Sequence, residues 1–277
     1  MENRVNIFYL TTKCNLECDY CYEEASRKNL PDQVTLDEKG IDKYLYEIAN
    51  REGDTTSTVV IMGGEPFLKP YLLYYTIKKM GEIDHRWGTS ITTNGTFLGS
   101  KLIIVKKILE VRKPNTSLTF EISYDASGHF RRKYRDSILD SKEKVENTIN
   151  NFIKNKIPFK ISYTLHKDNY KNFTKDMIYI LEKFGTEYLT DIKISIYCQE
   201  LADNFGGDYK KAVNKLKPYA NALTRKYGIP ICDLTCGVTC FKCDKSKFVG
   251  KSYCGPEGIN YEELETEKAF DCWGKDE

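Results

Sequence analysis

The 277-residue sequence has almost no excess of charge: 42 lysines and arginines stand against 40 aspartates and glutamates, a formal balance of +2. That near-neutrality removes any general reason to expect nucleic acid or a membrane as partner. No apolar run approaches the roughly 18 residues that would span a bilayer. The opening MENRVNIFYL passes straight into polar TTKCNLECD, so no signal-peptide h-region is seen. The expectation is a soluble, cytoplasmic protein. Low-complexity linkers and close internal repeats are missing. Histidine is scarce, with only His85, His129 and His166, each expected as a polar loop or supporting residue rather than a catalyst. Hydrophobic residues, at 40%, are plentiful enough to exclude wholesale disorder.

Cysteine is the exception to this sparseness. There are ten, placed unevenly: three between positions 14 and 21, one at 198, and six between 232 and 272. In a reducing compartment such clusters point to metal ligands or redox groups rather than a disulfide framework.

Along the chain, β-branched and apolar runs alternate with helical patterns. Strands are expected near Val5–Leu10, Ser57–Met62, Gly88–Thr92, Ser117–Ser123, Phe159–Thr164 and Asp191–Tyr197. Helices are expected near Leu36–Arg51, Lys69–Met80, Phe97–Val111, Ser141–Asn155, Lys171–Phe184 and Asp208–Tyr227. Strand-then-helix units repeated this way predict an α/β fold with a parallel sheet and right-handed crossovers. Eight units close a TIM barrel, so six predict an open, partial (β/α)6 barrel. The polar segments TTKCNLECDYCY, GGEPF, TTNGT, SYDAS, YTLHKD and YCQE fall at the carboxyl ends of the strands, where such sheets gather their chemistry. A boundary near residue 205 divides a barrel over 1–204 from a helix and small cysteine-rich domain over 205–277. That tail has little to bury, and small domains of this kind are commonly stabilised by metal.

Cys14-Asn-Leu-Glu-Cys18-Asp-Tyr20-Cys21 is a C-x3-C-x2-C loop directly after the first strand. Three thiolates on one short loop can cap three corners of an iron–sulfur cube, leaving the fourth iron open; electron-transfer clusters normally take four cysteines. The spacing alone also admits part of a zinc site, or cysteines with no shared role.

The loop, its aromatic Tyr20, and Gly63-Gly64-Glu65-Pro66 after the second strand together resemble the radical S-adenosylmethionine (SAM) superfamily. The resemblance implies a 4Fe–4S cluster on Cys14, Cys18 and Cys21, with SAM bound beside it and Tyr20 among the cofactor-binding residues. It implies that Gly63, Gly64, Glu65 and Pro66 hold the amino group of SAM. Glycines admit close approach to backbone carbonyls, and Glu65 complements the ammonium. Ser123-Tyr124-Asp125 with Arg135 resembles the family segment SxDG…HDxxR. By that match Ser123 contacts the ribose or methionine moiety and Arg135 pairs with the SAM carboxylate. Ala126 stands where that segment has glycine. Thr92-Thr93-Asn94-Gly95 resembles the family's TNG turn, with Asn94 either an αL turn residue or a SAM-facing one. The basic clusters Lys106–Lys107 and Arg131–Lys133 are expected as solvated faces, with Arg131 or Arg132 available to an anionic substrate. No catalytic acid, base or radical donor emerges.

The wording CNLxCxYCY is similar to the branch with SPASM or twitch domains, which includes anaerobic sulfatase-maturating enzymes. Cys236-Gly-Val-Thr-Cys240-Phe-Lys-Cys243, Cys254 and Cys272 resemble the cysteine segments of those domains and imply an auxiliary iron–sulfur cluster, with structural zinc as the competing occupant. Cys198 and Cys232 fit least. The activity implied is reductive cleavage of SAM to a 5′-deoxyadenosyl radical that takes hydrogen from a peptide or protein side chain. A reducing partner such as flavodoxin or ferredoxin is implied with it. The alternatives are the same chemistry on a small molecule or nucleotide, and a noncatalytic iron–sulfur or zinc protein.

Overall fold

In a computed structural model, residues 5–21, 35–51, 56–96, 102–196, 209–232 and 251–254 are described. The chain forms β1 (Val5–Thr11), β2 (Leu16–Cys18), α1 (Glu38–Ala49), β3 (Thr56–Gly63), α2 (Pro70–Glu82), β4 (Arg86–Thr93) and α3 (Leu102–Val111). It continues with β5 (Thr116–Ser123), β6 (Arg132–Tyr134), α4 (Lys142–Lys154), β7 (Phe159–Leu165), α5 (Lys167–Tyr170), α6 (Phe173–Phe184) and β8 (Leu189–Ile196). Last come α7 (Tyr209–Tyr227), β9 (Ile231–Cys232) and β10 (Lys251–Cys254). Short 3-10 turns at Pro66–Leu68 and Ala126–Arg131 follow β3 and β5.

The helices form where apolar residues recur at helical spacing. Ile41, Leu45 and Ile48 of α1 are buried, as are Val145, Thr148, Ile149 and Phe152 of α4. Asp37 caps α1 by accepting a bond from the Gly40 amide at 2.8 Å.

All six expected strands are present and parallel, in the order β10-β1-β3-β4-β5-β7-β8-β9. Helices follow each of them, as a partial TIM-type barrel requires. β9 adds to β8 at one edge and β10 to β1 at the other. The two-to-four-residue edge strands carry too little periodicity to be read from sequence. The same holds for β2 and β6, three residues each, which form a separate antiparallel ribbon. The helix expected at Lys171–Phe184 is α6, which starts two residues later and is preceded by the short α5. The proposed start at Phe97, and Tyr197, Cys198, Cys236, Cys240, Cys243 and Cys272, lie outside the described residues. Cys254 lies in β10.

Parallel sheets normally carry apolar side chains on both faces because helices cover both. Here alternation is clean on one side of the sheet. Phe120 meets Phe152 of α4 at 5.3 Å between ring centroids, and Tyr163 meets Phe173 of α6 at 6.2 Å, so these alternate residues face the helices. Their neighbours Glu121, Lys160, Asp191 and Lys193 therefore face the other way, into the concave side. There Lys160 pairs with Asp191 at 3.0 Å and Lys193 with Glu121 at 3.4 Å. On β1 and β3 the same face carries Ile7, Tyr9, Val60 and Met62, which stand side by side in register. The barrel interior thus has one apolar and one charged wall.

Candidate active site at the carboxyl edge of the sheet

Cys14, Cys18 and Cys21 are free thiols, each half-buried, on the loop that leaves β1. The loop is fixed from several directions. Its Cys18 end pairs with β6, where Cys18 stands opposite Arg132. The Cys21 amide closes a turn on the Cys18 carbonyl at 3.0 Å, and the Asp19 amide donates to the Arg131 carbonyl at 3.1 Å.

The segment after β3 is stitched to the same loop. The Gly64 amide donates to the Thr11 carbonyl and the Glu65 amide to the Lys13 carbonyl, both at 2.7 Å. Only glycine fits this approach: a Cβ on Gly64 would lie 2.1 Å from the Lys13 oxygen, and Gly63 has φ +136° with its Cβ position 2.3 Å from the Thr11 oxygen. Their observed role is to bring β3 against the cysteine loop.

Glu65 is fully buried. Its Oε1 accepts from the Phe67 amide at 2.9 Å and the Thr93 hydroxyl at 2.8 Å, and its Oε2 from the Asn94 amide at 2.7 Å. Burial pushes its carboxyl up to about 7, against the pull of these three donors. The carboxylate ties the GGEP segment to the turn after β4. Asn94 carries the tie onward: its amide nitrogen donates to Asn15 at 2.9 Å and reaches Cys14 Sγ at 3.8 Å. The left-handed residue of that turn is Gly95, at φ +76°, and not Asn94.

Beside the loop lies a buried group of charges. Asp125, fully buried, accepts from Tyr20 Oη, from Arg132 Nε at 2.7 Å and from the Thr164 amide at 2.8 Å. Burial would raise its carboxyl, but Arg132 leads the effects that hold it below the usual range. The Tyr20 ring is enclosed, with His166 stacked at 5.5 Å and the Arg131 and Arg132 guanidinium carbons 5.3 and 5.6 Å from its centroid. Arg131 also approaches Asp168 at 3.3 Å. Arg131 and Arg132, expected on a solvated face, are buried, because the β2–β6 ribbon folds them over Tyr20. The reading of Arg131–Lys133 as a solvated cluster is corrected accordingly for Arg131 and Arg132, while Lys133 is half-exposed. Asp125 stood in the sequence as a charge ending an apolar strand, seven residues before Arg132, and that conjunction was the available signal.

Arg135 reaches the loop too, its guanidinium lying 3.4 Å from the Cys14 carbonyl and 3.3 Å from that of Leu16. Ser123 ends β5 beside Ser162 of β7. Ala126 adopts φ +46°, the backbone a glycine takes freely, and is buried there. His129 is a packed supporting residue. Its Nδ1 accepts from the Asp125 amide at 3.3 Å, which leaves Nε2 to donate to Ser141 Oγ at 3.0 Å. Burial lowers it to about 4, so it is neutral. His85 lies at the opposite end of the sheet, 3.0 Å from Ser57 Oγ.

A model of the radical SAM superfamily matches residues 8–180, more than half of the chain. The chain belongs to that superfamily. Among curated relatives, the GTP 3′,8-cyclase of Clostridium perfringens (strain 13 / Type A) is 31% identical over 188 residues, 66% of this chain and 52% of the relative. The GTP 3′,8-cyclase of Aquifex aeolicus (strain VF5) is 31% identical over 99 residues, 35% of this chain and 30% of the relative. The chain therefore spans about half or less of the length of the curated relatives it matches. Among solved structures, native anSMEcpe with bound AdoMet has a TM-score of 0.64 at 18% identity, covering 82% of this chain and 63% of that one. The FeFe-hydrogenase maturase HydG from Carboxydothermus hydrogenoformans has a TM-score of 0.51 at 20% identity, over 80% and 51%. These likenesses establish the shared fold.

Radical SAM membership implies a 4Fe–4S cluster and SAM, and the donor set here fits the cluster. Burial pushes the Cys18 thiol up to about 12, with Arg132 opposing the rise and Cys21 and Cys14 adding to it. Such a thiol becomes a thiolate when a cationic metal centre is close. The Leu16 amide, 3.4 Å from Cys14 Sγ, supplies an N–H to sulfur of the kind that tunes such clusters. Among the described residues, no helix is long and apolar enough to cross a membrane.

Proposed function

We propose that this radical SAM protein cleaves SAM reductively and turns the resulting radical on a polar small molecule of the nucleotide class. When bound, the cluster supplies the electron that splits SAM into methionine and a 5′-deoxyadenosyl radical. In this reading Cys14, Cys18 and Cys21 hold the cluster, while Tyr20, Gly63, Gly64, Glu65, Pro66, Ser123 and Arg135 surround SAM. Arg135 is assigned to the SAM carboxylate while its guanidinium also braces the carbonyls of Cys14 and Leu16. For Glu65 the reading is narrowed: its oxygens are engaged inward, so the ammonium is left to exposed backbone carbonyls of the GGEP segment and any lone pair Glu65 retains.

The observation that carries the substrate class is the polar wall of β5, β7 and β8, where Lys160 and Lys193, each paired with a carboxylate of the same wall, face the interior. Charges on an otherwise helix-covered parallel sheet have a purpose where an ionic substrate lies against them. The 31% identity to a GTP 3′,8-cyclase over 188 residues agrees with a nucleotide. A peptide or protein side chain is the second reading, favoured by the likeness to native anSMEcpe with bound AdoMet and Cp18Cys peptide, at TM-score 0.60, and by the SPASM-like or twitch-like cysteines of the tail. On that reading Cys236, Cys240, Cys243 and one of Cys254 or Cys272 hold an auxiliary cluster in the tail 205–277, whose strands β9 and β10 extend the barrel's own sheet. A low-potential donor of the flavodoxin or ferredoxin type serves either reading.

The test is anaerobic reconstitution with iron and sulfide, then measurement of 5′-deoxyadenosine with nucleoside triphosphates and with peptides. Stimulation by nucleotides alone is the expected result. Stimulation by peptides alone transfers the assignment to the second reading. About eight irons per chain, against about four, adds the auxiliary cluster.

A further inference from the structure

Four segments meet at Asp125. It ends the stretch after β5, accepts from Tyr20 of the cysteine loop, from Arg132 of β6 and from the Thr164 amide of β7. Tyr20 lies between Cys18 and Cys21, and Arg132 stands opposite Cys18 across the β2–β6 ribbon. Asp125 and Arg132 are 0% and 7% exposed, so two opposite charges are locked 2.7 Å apart, out of water, against the loop. Ser123 and Arg135 were the residues implied for this segment, and neither makes this connection.

We propose that Asp125 is a positioning residue that fixes the Cys18–Cys21 turn through Tyr20 and, by neutralising Arg132, keeps the reduction potential of the loop's cluster low. The physical ground is that net charge and hydrogen bonding beside an iron–sulfur cluster set its potential, and both act strongly where water is excluded. Arg132 alone beside the loop favours the added electron and makes the reduced cluster a weaker reductant. Asp125 cancels that field from 2.7 Å away while its second bond on the same oxygen holds Tyr20. Arg132 in turn supplies the opposite charge that the buried carboxylate requires. The inference rests on Cys14, Cys18 and Cys21 being the cluster ligands.

The experiment compares the reconstituted full chain with Asp125→Asn and with the double variant Asp125→Asn/Arg132→Gln. Redox titration followed by the spin-resonance signal of the reduced cluster gives the midpoint, and iron content and melting temperature are measured alongside. Asp125→Asn is expected to keep its iron, to shift the midpoint upward, and to slow SAM cleavage at least tenfold with less than a threefold change in KM for SAM. The double variant is expected to return the midpoint toward the parent, because neutrality is restored although the bonds are not. Structural damage is registered separately, as lost iron and a lowered melting temperature, so a shifted midpoint in a variant that keeps both reports the charge. Where Asp125→Asn alone does not fold, the double variant, which leaves no unpaired charge in the core, decides: a parental midpoint with a broadened signal supports the proposal, and a displaced midpoint overturns it. An unshifted midpoint in folded Asp125→Asn, or a shift the double variant keeps, also overturns it. A parent protein that binds no four-iron cluster sinks the ligand reading itself, which the iron analysis of the parent registers separately.

Discussion

Cys18 and Arg132 face each other across the β2–β6 ribbon, so the middle cysteine of the loop is held by a strand more than a hundred residues away. The loop's shape is therefore a tertiary property. It is built from the Arg132 side, from Gly64 and Glu65 after β3, and from Asn94 after β4.

A triple Cys14→Ala, Cys18→Ala, Cys21→Ala variant is expected to lose SAM cleavage and the iron of this loop, while its far-ultraviolet spectrum and melting temperature stay close to those of the metal-free parent. The thiols are only half-buried, and the core lies between the sheet and its helices. Undiminished 5′-deoxyadenosine production would remove the cluster from this loop.

Gly64→Ala adds one methyl group, which lands 2.1 Å from the Lys13 oxygen and 2.6 Å from that of Thr12. Backbone cannot yield as a flexible side chain does, so the loop and the GGEP segment must part. We expect a loss of about 1–3 kcal/mol in urea unfolding and weaker iron retention. Parental values for both would mean the approach is not needed.

The six parallel strands were legible because each carries an apolar run followed by a helical pattern. The cysteine loop and GGEP were legible because their residue types are rare in that order. What escaped is what depends on contact at a distance. Arg131 and Arg132 read as solvated because a basic run usually is, and only the short 3-10 turn ending at Arg131 and the three-residue strand β6 beginning at Arg132, both too short for a periodic signal, carry them over Tyr20. Glu65 read as a counterion facing outward, since sequence does not tell which way a strand-end carboxylate turns. Its inward turn is set by donors on Thr93 and Asn94, twenty-eight and twenty-nine residues away.

His129 predicts a pH dependence. Its folded value of about 4 lies below the ordinary 6.5, because burial disfavours the cation. Between those values the unfolded chain binds more protons than the folded one, so the stability it contributes is present above pH 6.5 and is lost as pH falls toward 4. The shift corresponds to about 3 kcal/mol. His129→Gln should remove this acid-side loss, measured as urea midpoints from pH 4 to 7. A slope unchanged by the substitution would assign the loss to other groups.

Glu65 predicts the mirror image. Its folded value of about 7 lies above the ordinary 4.5 for the same reason, burial, now acting on an anion. Between pH 4.5 and 7 the folded state holds the proton longer than the unfolded chain, so the stability attributable to Glu65 falls as pH rises through that window. The two contributions have similar size, about 3 kcal/mol each, and opposite sign over nearly the same range, so in the parent they largely offset one another. Glu65→Gln should therefore expose the His129 slope, with stability rising steeply from pH 4.5 to 6.5. His129→Gln should expose the Glu65 slope, with stability falling toward pH 7. Glu65→Gln also brings an amide NH2 against donors that the carboxylate had accepted, from Phe67, Thr93 and Asn94. Its absolute stability should drop by about 1–3 kcal/mol at pH 7. Slopes of the same sign in the two variants would defeat the assignment of either group.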